Sequence, residues 1–116
     1  MVDKEARLRW RSQRIQQYLS CLPLTHYRAI VFGSVARGDF ILESDTDLLI
    51  ISDELPESPQ ARLDLLFECR DSTPEIEPIG WREVDYQRRK AQGDLFLTIL
   101  ETEGIAWEEF RQKWKD

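Results

Sequence analysis

Apolar residues return along this chain in two rhythms, one of helical period and one of short unbroken runs. From about Asp3 to Leu22, the residues Leu8, Ile15, Tyr18, Leu19 and Leu22 recur at helical spacing and share one face. Pro23 stops that helix, and Trp10 falls roughly on its opposite side, off the core stripe. Tyr27 to Phe32 (YRAIVF) is an apolar run ending at glycine, the pattern of a buried strand, and Thr46 to Ile51 (TDLLII) is a second. Between them, Ser34 to Arg37 suits one short helical turn, with Gly38 releasing the chain into a loop. The tract from Ser52 to Pro59 is punctuation, after which Leu63, Leu66 and Phe67 mark the inward face of another helix. Ile76 to Ile79 predicts a third strand, which Pro78 pushes toward a sheet edge or an early end. Glu83 to Gln92 reads as helical. Asp94 is then the N-cap of a helix from Leu95 to Glu103, buried through Leu95, Phe96, Ile99 and Leu100 and ended by Gly104. In the tail, Trp107, Phe110 and Trp114 share one helical stripe. Strands alternating with helices predict an α/β fold, a small mixed β-sheet packed with helices.

Composition narrows the picture. A chain of 116 residues suits one domain, spanning 1–116, with a core that needs no disulfide or metal staple. With 41% hydrophobic and 33% charged residues it reads as globular and not disordered. No apolar run approaches the roughly 20 residues of a membrane helix, and the N-terminal stretch lacks the apolar centre of an export signal. Cytoplasmic residence is expected, and with it reduced thiols at Cys21 and Cys69, which form no C-x-x-C pair. With His26 the single histidine, a Cys/His zinc site is disfavoured, and His26 itself reads as a structural or surface residue. A net charge of −6 repels a phosphate backbone, so nucleic acid is an unfavoured partner.

The chemistry concentrates in Val31-Phe32-Gly33-Ser34-Val35-Ala36-Arg37-Gly38 and Ser44-Asp45-Thr46-Asp47. Gly33 directly follows a strand, where the lack of a Cβ lets the backbone turn and come close to a ligand. Ser34 opens a turn whose N–H groups and hydroxyl suit phosphate oxygens. Asp45 and Asp47 stand two residues apart at a strand entry, so their carboxylates point the same way. Two like charges side by side repel, and a hard divalent cation such as Mg²⁺ is the natural means of holding them together. Taken singly, Ser-Asp-Thr-Asp also makes an ordinary turn and Ser34 an ordinary N-cap. Together, a metal-binding pair facing a phosphate-binding turn reads as a nucleotide site.

The run GSVARGDFILESDTDLLI resembles the signature of the DNA polymerase beta-like nucleotidyltransferase superfamily, and the short chain resembles its minimal nucleotidyltransferases. That resemblance implies a nucleotidyltransferase fold and transfer of a nucleoside monophosphate, AMP from ATP or the equivalent from another nucleoside triphosphate, to an acceptor hydroxyl. It implies two Mg²⁺ ions at Asp45 and Asp47 and a third carboxylate on a following strand. The candidates for the third are Glu75 and Glu77, with Glu77 favoured as nearer the centre of the apolar run. The family more often has aspartate there. Gly33 and Ser34 would grip phosphates, while Arg37 is either a further phosphate contact or a solvated helix residue. Minimal nucleotidyltransferases are often paired with a small helical HEPN (higher eukaryotes and prokaryotes nucleotide-binding) protein as the antitoxin of a toxin–antitoxin pair, so such a partner is implied here. Aminoglycoside-modifying enzymes share the motif but need more chain for a drug pocket.

Other features have plainer readings. Glu75 and Glu77 also suit simple charges on an edge strand. Asp64 and Glu68 lie one turn apart on the solvated face of their helix. Trp10 marks a partner or homo-oligomer surface, and Trp107, Phe110 and Trp114 either complete the core or dock another chain. The alternative function, from a different class, is a non-catalytic nucleotide-, metal- or partner-binding module on the same fold, separated from the enzyme by where the third carboxylate points.

Overall fold

The computed structural model describes residues 3–115. Helix α1 (Lys4–Cys21) starts where the Asp3 carboxylate accepts the Ala6 N–H at 2.7 Å and ends at Leu22, ahead of Pro23. Strand β1 (Arg28–Phe32) runs into the short helix α2 (Gly33–Arg37), which Gly38 closes in the left-handed conformation. Strand β2 (Thr46–Ile51) follows, then α3 (Pro59–Glu68), capped by Ser58 with proline in its first turn, then β3 (Ile76–Trp81). Helices α4 (Glu83–Ala91) and α5 (Leu95–Glu103), the latter capped by Asp94, precede a two-residue strand β4 (Ile105–Ala106) and helix α6 (Trp107–Lys113).

The sheet has the order β3-β2-β1-β4, antiparallel except for the parallel pair β2 and β3 that α3 connects. Pro78 thus lies on an edge strand, as its missing N–H requires, although the strand continues past it to Trp81. Because side chains alternate, one face of β2 presents Leu48 and Ile50 to a core shared with α1 and α6, where Leu8, Ile15, Tyr18, Leu19 and Leu22 are all buried. The other face presents Leu49 and Ile51 to Trp81, Leu97 and Leu100. Phe96 meets Phe32 and Trp81 edge-on, with ring centroids 5.3 and 5.7 Å apart. No helix among the described residues is long and apolar enough to cross a membrane.

Three expectations need correcting, and one strand went unread. Leu63 and Phe67 are exposed, and Leu66 alone of that trio is buried, because α3 touches the sheet along a narrow line. On α5, Leu97 replaces Leu95 and Ile99 in the core; Leu95 is 80% exposed, since Leu97 and Leu100 pack on the sheet and residues two away from Leu97 point about 160° from it. Strand β4 has no counterpart in the sequence reading, for two residues show no periodicity. Most consequentially, Cys21 and Cys69 are not reduced thiols but a disulfide, with Cα atoms 5.7 Å apart. The ends of α1 and α3 meet in space, and 48 residues of separation hid that meeting from a search for local cysteine pairs. The bridge withdraws reduced thiols as support for a cytoplasmic setting. The tail resolves toward the core: Trp107 and Phe110 are buried, with Trp114 packed against them.

Candidate functional site

Strand pairing brings the motif together. In the ladder, Phe32 lies opposite Asp47 on one side, and Glu77 lies opposite Asp47 on the other. Residues paired across a sheet share a face, so the Asp47 and Glu77 carboxylates stand side by side. Gly33, one residue past Phe32, has φ of +74°, and a Cβ placed on it would collide with the Asp47 carboxylate. Glycine is therefore required twice over, by backbone conformation and by close approach. Gly33 and Asp47 therefore approach each other closely, and Asp45 is near enough to Asp47 for its charge to act on it.

Charge is concentrated there. The Asp47 carboxyl is pushed above its ordinary range by burial first, then by the neighbouring charges of Asp45 and Glu77, with Arg37 pulling the other way. Arg37 itself is exposed and ion-paired with Asp39 at 3.1 Å and Glu103 at 3.2 Å. Glu75 and Glu77 part company. Glu75 sits under α1, where Arg14 donates to both its oxygens at 2.7 and 2.9 Å. Burial would raise the Glu75 carboxyl, but the Arg14 hydrogen bond and charge outweigh it and hold the group low. Glu77 stays beside Asp47, yet its Oε1 accepts from Arg70 at 2.8 Å. Arg70 is fixed in turn by the Pro74 carbonyl at 2.7 Å and lies over the Phe67 ring.

Asp45 and Asp47 offer hard carboxylate oxygens, and the charge of Asp45 adds to the burial that raises the Asp47 carboxyl, a cost that a cation would lower, so the pair fits Mg²⁺. Among the described residues no group of three acids, histidines or cysteines is gathered closely enough to hold a metal ion, consistent with Glu77 being drawn to Arg70.

Two arginines went unread in the sequence. Arg70 gave no local signal. Arg11 did, for it occupies the core stripe of α1 between Leu8 and Ile15, a position that an arginine fills only when its guanidinium has buried partners. Trp10, by contrast, is 45% exposed as its position predicts, with the Arg11 and Arg14 guanidiniums 5.6 and 5.2 Å from its ring. It lines an apolar groove with Phe40 and Leu42.

This geometry is that of a nucleotidyltransferase fold. Residues 12–103 match the nucleotidyltransferase domain family, and the chain belongs to it. Its fold is similar to that of a Sulfolobus solfataricus protein assigned as a nucleotidyltransferase, with a TM-score of 0.54 and 20% identity over 76% of this chain and 82% of that one. No curated protein matches the sequence. Nucleotidyl transfer is the activity class the family brings.

Proposed function

We propose that this chain moves a nucleoside monophosphate, AMP from ATP, onto an acceptor hydroxyl, using Asp45 and Asp47. The observation that supports this reading is the close approach of Gly33 to the Asp47 carboxylate, which leaves no room for a Cβ between the bend and the acid. Asp45 and Asp47 would hold Mg²⁺, two ions by family resemblance, which supplies charge neutralisation for the attacking and leaving oxygens of an in-line displacement. The Gly33 and Ser34 backbone and the Ser34 hydroxyl bind the β- and γ-phosphates. Arg37, exposed and paired with Asp39 and Glu103, would reach the same phosphates by exchanging those partners for them. Glu77, once released from Arg70, is the third carboxylate and takes the acceptor's proton. The acidic chain favours a protein acceptor over nucleic acid, and by resemblance a small helical HEPN protein fits that part, with this chain as the antitoxin of the pair. The exposed Trp10 groove is the candidate surface for such a partner or for a second copy, in a cytoplasmic setting.

The Arg70–Glu77 ion pair favours a second reading, a binding module that keeps nucleotide and cation but transfers slowly or not at all. Incubation with labelled ATP, Mg²⁺ and lysate of the source organism separates the two. A labelled protein band absent with Asp45→Asn/Asp47→Asn supports transfer; tight ATP binding with no labelled product supports the module.

A further inference from the structure

The loop between Gly38 and β2 carries Asp45, yet it contains no regular element. What organises it is a side chain from a distant helix. Arg11 is 2% exposed, and its Nη1 donates to the Ser44 carbonyl at 2.5 Å and to Thr46 Oγ1 at 2.9 Å. Its Nη2 donates to the carbonyls of Ile41 and Leu42 at 3.3 and 3.2 Å. The guanidinium also lies 5.4 Å from the Phe40 ring centroid. The turn it grips is closed by Ser44, whose Oγ accepts the Ile41 N–H at 2.9 Å. Thr46, fully buried, donates its N–H to the carbonyl of Glu75, the residue just ahead of β3, at 2.9 Å.

Asp45 is therefore flanked on both sides by residues in the grasp of one guanidinium, and Thr46 is the residue separating it from Asp47. Several acceptors in different directions match the planar fork of arginine and not the point charge of lysine. The orientation of Asp45 relative to Asp47 is then set by α1, more than thirty residues upstream in sequence.

We propose that Arg11 is the positioning residue of the site, a buried clamp that fixes Asp45 for divalent-cation binding. The inference rests on the acid pair being the cation site, as proposed above. Two variants test it: Arg11→Lys keeps the charge but loses the fork, and Thr46→Val removes one acceptor while keeping the side-chain shape. The readouts are Mn²⁺ affinity by electron paramagnetic resonance and hydrogen exchange of the amides at 41–46, with Arg9→Lys on the exposed face of α1 as control. The expected result is Mn²⁺ affinity weakened about tenfold in Arg11→Lys, as for other groups that orient metal-binding side chains, with faster exchange confined to 41–46 and a smaller loss in Thr46→Val. A purely structural role would move exchange throughout α1 and β2 and leave Mn²⁺ affinity of the folded variant intact, which overturns the inference. Wild-type affinity lost in Asp45→Asn but unchanged in Arg11→Lys overturns it alone; a wild-type chain that binds no Mn²⁺ overturns the functional reading and the inference together.

Discussion

Asp47 carries a charge where burial and two neighbouring acids disfavour it. Because its carboxyl is held above the ordinary value by burial and by Asp45 and Glu77, the folded chain binds that proton more tightly than the unfolded chain does. The stability linked to the protonated form is complete below the unfolded value of 3.8 and is lost as pH rises through the higher folded one. Asp47→Asn should accordingly raise Tm at pH 7 without metal, with the advantage vanishing below pH 3.8, while cutting transfer by at least about 100-fold. Thermal scans at several pH values check the first part and labelled-ATP turnover the second. Arg70 offers a test of opposite sign. Arg70→Met removes the partner of Glu77, so divalent affinity measured by titration calorimetry should tighten, by about tenfold if Glu77 then joins the acid pair.

Among the elements, α1 does most to assemble the domain. Its apolar stripe covers one face of the sheet, the Tyr18 hydroxyl donates to the Leu66 carbonyl at 2.7 Å, and Cys21 is bonded to Cys69 just after α3. Burial pushes the Tyr18 hydroxyl well above its usual value, so it stays a donor at any ordinary pH. The disulfide constrains 48 residues of chain in the unfolded state, which corresponds to about 2–4 kcal/mol of stability. Cys21→Ser/Cys69→Ser should lose that amount in urea titrations, and reductant should destabilise the wild-type chain but not the variant. An equal response to reductant in both would show that the bridge does not form in solution.

At the scale of the whole molecule, the candidate site lies where β1 ends and β2 begins, and a ligand that needs Gly33 beside Asp47 would bind the folded chain alone. Mg²⁺ with ATP at 100 times the dissociation constant should stabilise the chain by about 2.7 kcal/mol, read as a concentration-dependent rise in Tm. The same addition should leave Asp45→Asn/Asp47→Asn unmoved. An identical shift in both would mean that nucleotide binds elsewhere.

The sequence by itself determined the residues of the motif, the three longer strands and most helix boundaries. These are local properties: Asp94 caps the residues beside it, the run TDLLII is a strand from composition alone, and Gly33-Ser34 with Asp45 and Asp47 lie within one short stretch. Only the tertiary structure decided the rest. The sequence favoured Glu77 over Glu75 only for its place in the apolar run; the register that sets Glu77 opposite Asp47 and the Arg14 pairing that holds Glu75 elsewhere came from the fold. The exposure of Leu63 and Leu95, the burial of Arg11 and the Cys21–Cys69 bridge depend on what stands opposite each side chain, and those neighbours come from distant segments. Periodicity states that a face is apolar; contact with the rest of the fold decides which of its residues are covered.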